Sequence, residues 1–169
     1  DPAVAGPIHL VRRFLGSLSP VPLKADDQGW VTARLLPGER QLWQRMSRAD
    51  QKHSVGVART VARGSGADRA VVAAALLHDV GKVEADLGTV GRAVATLVGR
   101  RRGARWRDEP GIRGRIGCYL HHDAIGAALL EDAGADPLTV AWAREHHRPE
   151  DAWTVPVEVG RALRDADDD

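Results

Sequence analysis

Residues 71–82 read VVAAALLHDVGK, and this stretch decides the fold class. Its first seven residues are all apolar, and a helix that is apolar on nearly every face is buried inside a domain. The stretch lacks the alternation of apolar and polar residues that indicates a half-buried strand. We therefore expect a central buried helix that ends at His78 and Asp79, with a turn that Gly81 permits just beyond.

The rest of the chain repeats Ala, Leu and Arg at helical spacing and has almost no strand signal. Ser47 and Asp136-Pro137 are typical helix starts, because Ser and Asp cap N-termini and Pro suits the first helical position. Further helices are predicted over residues 8–18, 26–36, 37–46, 47–62, 87–98, 112–120, 124–133 and 136–145, and from Pro156 onward. Residues 100–107 are predicted to form a basic loop. The fold class we expect is all-α, a single helical bundle with additional N-terminal helices.

The length of 169 residues fits one domain, and no repeat or low-complexity linker divides it. We predict a core domain over residues 47–169 and a helical extension over residues 1–46 that packs on it. The 24 Lys and Arg residues balance 23 Asp and Glu residues, so net charge indicates no particular partner. Cys118 is the single cysteine, so an internal disulfide is excluded and a reducing, cytoplasmic location is expected. No apolar run reaches the roughly 20 residues of a membrane-spanning helix.

Histidine is the informative residue type. The chain has seven, and six fall in four groups on or at the ends of predicted helices: His53, His78, His121 with His122, and His146 with His147. Imidazole nitrogens bind transition metals, and a carboxylate can bridge two ions and neutralise part of their charge. Helices of a bundle can project such ligands into one core. The pattern predicts a metal site built from these histidines, with His122 rather than His121 as the ligand of that pair, together with Asp79 and Asp167.

Each of these residues also has a purely structural interpretation. A buried histidine is more often a hydrogen-bonded core residue than a ligand, and a terminal acidic cluster such as the one around Asp167 is usually solvated. The dipole at a helix C-terminus favours His78 but disfavours Asp79. A charged pair at the end of an apolar helix therefore needs another explanation, and a metal site provides one.

Five segments in this order resemble the HD superfamily in its HDIG form. HDVGK at residues 78–82 is similar to the family signature, and HSVGVA at residues 53–58 is similar to its upstream histidine segment. HDAIGAALL at residues 122–130 resembles the HPxxGaxLL segment, with Asp123 where proline is usual. His146 and His147 match a double histidine, and ALRDAD at residues 162–167 resembles the closing segment with its metal-binding aspartate. The resemblance spans residues 47–167.

This resemblance implies a metal-dependent phosphohydrolase with two divalent ions. The implied ligands are His53, His78, Asp79, His122, His146, His147 and Asp167. His147 has a second interpretation, as a contact to a third ion or to a substrate phosphate. Manganese or iron is expected because the ligands are rich in nitrogen, and nickel, cobalt, zinc and magnesium are the alternatives.

Two residues are the candidates for catalysis. Asp79 would bridge the ions, which lower the pKa of the attacking water, and Lys82 would stabilise charge on the phosphoryl oxygens. Lys82, His121 and Trp153 are the candidates for substrate binding. The expected substrate is a small phosphorylated molecule, either a nucleotide or a cyclic nucleotide. No Gly-Tyr-Pro follows His147, which argues against hydrolysis of cyclic di-GMP of the HD-GYP kind.

Two other functions stay open. A non-catalytic HD domain acting as a nucleotide sensor or scaffold would keep the same ligands. A nucleic-acid binder with a structural metal is the third and least favoured hypothesis, because basic runs such as residues 100–102 are usually solvated.

The interval between Asp79 and His122 is longer than is usual in the family, and we expect its arginines to form a flap. The oligomeric state is not indicated.

Overall fold

The computed structural model describes residues 23–64, 68–103 and 105–169, which form helices and no strand. This result confirms the all-α prediction. The helices are α1 (Ala25–Thr32), α2 (Pro37–Arg45), α3 (Arg48–Arg63), α4 (Arg69–Leu77), α5 (Thr89–Gly103), α6 (Ile112–Leu120), α7 (His122–Asp132), α8 (Pro137–Glu145) and α9 (Val157–Asp168). Short 3-10 helices at Val80–Glu84 and Glu150–Ala152 follow α4 and α8. The helix predicted over residues 8–18 lies outside the described residues.

Helix α4 is the buried central helix that its apolar sequence predicts. It packs against α3 and α8, and it also contacts α2 and α9. Leu76 and Leu77 are fully buried together with Leu130 of α7 and Leu163 of α9. Each such side chain contributes about 1.5–3 kcal/mol through removal from water. The end of α4, where His78 and Asp79 follow, is thereby placed inside the bundle.

Helices α1 and α2 and the turn between them share this core, since Val31, Leu35, Leu42 and Trp43 are buried in the same hydrophobic cluster. The prediction for residues 26–36 was wrong at its end, because α1 stops at Thr32. The predicted start of the next helix at Pro37 is confirmed, and the residue before it is extended because proline disfavours helical conformation there.

The two predicted caps are confirmed, and both belong to helices that carry site histidines. The Ser47 hydroxyl accepts a hydrogen bond from the Asp50 amide at 3.1 Å and starts α3. The Asp136 carboxylate accepts one from the Leu138 amide at 2.9 Å, with Pro137 at the first position of α8. Local sequence therefore fixes where α3 and α8 begin.

Helices α5 and α6 form a smaller core of their own around Ala85, Leu87, Ala95, Ile116 and Leu120. The predicted basic loop is wrong for residues 100–103, whose backbone is helical and belongs to α5. The helix is interrupted at Gly99, where φ is 71°, a left-handed conformation that favours glycine. Among the described residues, no helix combines the length and apolar character needed to cross a membrane.

Candidate metal centre

Two groups of three metal-binding side chains meet at the end of α4. One group comprises His53 of α3, His78 and Asp167 of α9, and the other comprises His122, His146 and His147. Within each group the candidate ligand atoms all lie within 4.8 Å of one another. All six of these residues were candidates from the sequence, and the structure brings them together from five chain segments.

The first group is centred on Asp167. Its Oδ1 atom lies 2.7 Å from His53 Nε2 and 3.7 Å from His78 Nε2. His78 is buried, whereas His53 and Asp167 are partly exposed. Asp167 therefore belongs to a defined cluster and not only to the acidic end of α9.

The second group is formed by the start of α7 and the end of α8. The Nε2 atoms of His122 and His147 are 3.2 Å apart, and the rings of His146 and His147 are 3.9 Å apart between centroids. His122 and His146 are buried, and His147 is exposed. The exposed edge at His147 gives solvent or a small molecule a route to this group.

Asp79 lies between the two groups, and each of its oxygens faces a different one. Oδ1 is 3.2 Å from His122 Nε2 and 3.9 Å from His146 Nε2. Oδ2 is 3.4 Å from His78 Nε2 and also contacts the ammonium of Lys82. A carboxylate placed in this way has the geometry needed to bridge two cations.

Backbone carbonyls fix the three buried histidines in a form that is ready to bind metal. Nδ1 of His78 lies 2.9 Å from the Ala75 carbonyl, Nδ1 of His122 lies 2.7 Å from the Tyr119 carbonyl, and Nδ1 of His146 lies 3.0 Å from the Ala143 carbonyl. A carbonyl only accepts hydrogen bonds, so each Nδ1 must carry the proton. When such a ring is neutral, its lone pair is on Nε2, on the side of Asp79 and the other ligands. Burial lowers the pKa of His78, but Asp79 and Asp167 raise it more, so a metal ion would bind there in place of the Nε2 proton.

The donor set fits a bound cation. The Nε2 atom of His146 is buried and has no hydrogen-bond partner among the described residues. Leaving a buried polar atom unsatisfied costs about 1–3 kcal/mol. A transition-metal ion would satisfy this nitrogen, because imidazole is one of its preferred ligands.

The charges of the centre also suit a cation. Burial raises the pKa of Asp79, but the charges of Lys82 and His78 and the close contact with His122 outweigh it and hold that pKa well below its ordinary value. Burial, together with positive charge on His78 and His147, lowers the pKa of His146 well below its usual range. Asp79 is thus anionic and His146 neutral at neutral pH, the forms in which both bind metals.

Lys82 lies inside the centre. Burial lowers the pKa of Lys82, but the charges of Asp79, Tyr119 and Asp50 raise it more, so its pKa lies above the ordinary value. Its Nζ atom contacts Asp79 Oδ2 and sits 5.8 Å from the centre of the Tyr119 ring. The structure therefore holds a permanent cation beside the predicted bridging carboxylate.

Gly81 positions the second group through close packing. The sequence suggested a turn, yet a Cβ atom here would overlap the His122 carbonyl oxygen and lie 2.6 Å from the Gly126 nitrogen. Only a residue without a side chain lets the Val80–Glu84 segment approach α7 so closely. The glycine thus sets the distance between Asp79 and His122.

The remaining candidates lie near the centre but outside both donor groups. His121 connects α6 and α7, and its buried Nε2 has no hydrogen-bond partner among the described residues. Trp153 donates from Nε1 to the Glu145 carbonyl at 3.1 Å and packs edge-on against Trp142.

A cavity of about 350 Å³ adjoins the metal-binding residues. Its lining combines candidate ligands with an apolar wall and two charged side chains of α9: His78, His146, His147, Asp167, Val57, Trp142, Leu163, Arg164 and Asp168. Arg164 was not a candidate from the sequence, although its spacing of three residues from Asp167 places both on one face of a helix. The ion pair of Arg92 with Asp50, at 2.7 Å, was not predicted either, because the partners are far apart in the sequence.

Comparison with known protein families agrees with this geometry. The HD domain model matches residues 51–168, a range that includes all seven predicted ligands. Comparisons with curated proteins and with solved structures gave no match. HD domains are typically metal-dependent phosphohydrolases, and they bind divalent metals through histidine and aspartate. On the extent of this match, the chain belongs to the HD domain family.

Proposed function

We propose that this protein is a metal-dependent phosphohydrolase that cleaves a phosphate ester, with a nucleotide or cyclic nucleotide as substrate. The observation that carries the proposal is the position of Asp79 between two groups of three ligands. Two-metal hydrolases hold their ions about 3.5–4 Å apart, a spacing that one bridging carboxylate can span. The double histidine supports membership of the HDIG branch.

The two groups and Asp79 divide into two ligand sets. One set is His53, His78, Asp79 and Asp167, and the other is Asp79, His122, His146 and His147. The first set has two histidines and two carboxylates and the second has three histidines and one carboxylate, and this mixture of ligands favours manganese or iron. Bound ions would supply Lewis-acid chemistry, by lowering the pKa of a water molecule and by balancing charge on the phosphoryl oxygens.

The protein's own residues prepare this chemistry. Asp79 keeps its negative charge, so it holds the cations without needing to lose a proton. Lys82 brings a positive charge to the same place, where it would bind a phosphoryl oxygen and stabilise the charge that develops there. Val57, Trp142 and Leu163 provide an apolar wall for the organic part of the substrate. We also propose a cytoplasmic location, because the lone cysteine suits a reducing compartment.

Reconstitution tests the proposal. The protein is stripped with a chelator, loaded separately with Mn²⁺, Fe²⁺, Ni²⁺, Co²⁺, Zn²⁺ or Mg²⁺, and assayed on p-nitrophenyl phosphate and on a nucleotide panel. We expect phosphate release that requires metal. Metal-loaded protein that binds nucleotides without hydrolysing any ester would support the sensor alternative and refute catalysis.

A further inference from the structure

The cavity beside the metal centre is lined by one positively charged side chain, Arg164, that has no role in the proposed chemistry. Its apolar wall comes from Val57, Trp142 and Leu163, and Arg164 of α9 contributes a guanidinium to the lining. Ligand pockets usually measure about 300–1,000 Å³. At about 350 Å³, this cavity has room for a small organic molecule, and its lining offers an apolar wall and one guanidinium together with the carboxylates of Asp167 and Asp168.

Arg164 lies close to the proposed reaction site. It precedes Asp167 by three residues in α9, and side chains at this spacing share a helix face, with about 5–6 Å between their Cβ atoms. A phosphate held at the ligands of the first group would therefore lie on the same helix face as Arg164, in a cavity that both residues line. A second anionic group of the same molecule, directed along this face, would meet the guanidinium.

The structure holds the Arg164 guanidinium in a defined orientation. It stacks over the Trp153 ring at 4.2 Å from the centroid and donates to the Arg148 carbonyl at 2.5 Å. Trp153 is in turn fixed by its hydrogen bond to the Glu145 carbonyl at 3.1 Å. A guanidinium has five N–H donors in a rigid plane, and a stacked, pre-oriented one loses little entropy when it binds an anion.

Arg161 provides a contrast on the same helix. Its Nε and terminal nitrogen both donate to Glu150 Oε2, at 3.1 and 2.9 Å, and its side chain is 62% exposed. Arg164 is 3.9 Å from the other oxygen of Glu150 and 31% exposed. Because Arg161 makes the short contacts to Glu150, the charge of that carboxylate is largely balanced without Arg164.

We propose that Arg164 determines substrate specificity by binding a second, non-reacting phosphate of a small organic bisphosphate whose organic part packs on Val57, Trp142 and Leu163. This inference rests on the proposed phosphohydrolase function and narrows its substrate class. It assigns Trp153 a positioning role, through the orientation of Arg164.

Paired substrates test the inference. Wild type, Arg164→Gln, Arg164→Lys and the control Arg161→Gln are loaded with Mn²⁺ and assayed on adenosine 5′-monophosphate and adenosine 3′,5′-bisphosphate. We expect Arg164→Gln to lower the ratio of kcat/KM for the bisphosphate over the monophosphate about tenfold to a hundredfold, as for loss of a charged hydrogen bond. Arg164→Lys should recover part of this ratio. Arg161→Gln keeps the Arg164 guanidinium but leaves Glu150 to attract it, so its ratio should fall less than that of Arg164→Gln. An equal loss on both substrates, or no loss, would overturn the inference.

A binding measurement separates this inference from the proposed function. If wild type hydrolyses neither these nucleotides nor any ester of the wider panel, the proposed function fails, and calorimetric titration with the same two nucleotides still tests Arg164. We then expect the Arg164→Gln variant to lose affinity selectively for the bisphosphate. Equal affinity of wild type and variant for the bisphosphate would show that Arg164 only holds the loop at Arg148 against α9.

Discussion

Replacing Asp79 with asparagine should weaken binding at both proposed metal positions at once. The substitution keeps the shape of the side chain and removes its charge. Oδ1 faces His122 and His146, and Oδ2 faces His78, so neither group keeps its full ligand set. Losing one charged contact costs about 1.5–3 kcal/mol. Applied to both positions, this loss sums to about 3–6 kcal/mol, or a fall of roughly 10² to 10⁴ in the product of the two binding constants.

Substitutions within one group should behave differently. His53→Ala removes a ligand from the first group only, and His147→Ala removes one from the second. We expect each to weaken one binding event by a similar amount and to leave the other nearly unchanged. Asp165→Asn is the matched control, because Asp165 is exposed on α9 and belongs to neither group.

Titration of Mn²⁺ into chelator-stripped protein, with metal analysis of the dialysed samples, checks this pattern. The expected order of bound metal is wild type and Asp165→Asn first, then the two histidine variants, then Asp79→Asn. Metal content of the Asp79→Asn variant equal to wild type would refute the bridging role. A loss no larger than that of His53→Ala would show that Asp79 serves one ion only.

Three further predictions concern the surroundings of the ligands. Lys82→Met should lower kcat/KM on p-nitrophenyl phosphate by about tenfold to a hundredfold, roughly 1.4–2.8 kcal/mol, with metal content retained; unchanged steady-state kinetics would remove Lys82 from the reaction. Gly81→Ala should lower the free energy of unfolding by about 1–3 kcal/mol, since its methyl group would overlap the His122 carbonyl. The control Gly56→Ala has open space around the new methyl group and should not destabilise the protein. Denaturant titration measures the free energy of unfolding of both variants, and equal values for the two would contradict the packing argument. Adding EDTA to metal-loaded protein should lower Tm, because ligand binding to the native state stabilises it; an unchanged melting curve would argue against the site.

The parts of the structure that the sequence predicted depend on neighbouring residues. Ser47 and Asp136 cap their helices through amides two or three residues away, so the starts of α3 and α8 could be predicted. The burial of α4 followed from its seven consecutive apolar residues. The ligands were found because histidines and aspartates recur in an order that resembles one family.

The missed features depend on tertiary structure. The orientation of Arg164 depends on Trp153, whose place is set by the Glu145 carbonyl eight residues earlier. The Arg92 and Asp50 partners are 42 residues apart, so no local pattern indicates their ion pair. Residues 100–103 were predicted to be loop, although α5 is interrupted at Gly99 alone, in a left-handed conformation, and the helix resumes after it.

The most direct test of two ions bridged by Asp79 is a crystal structure of the Mn²⁺-loaded protein with anomalous diffraction data. We predict two anomalous peaks about 3.5–4 Å apart, one beside His53, His78 and Asp167 and the other beside His122, His146 and His147. Each oxygen of Asp79 should coordinate a different peak. A single peak, or two peaks of which only one contacts Asp79, would contradict the account.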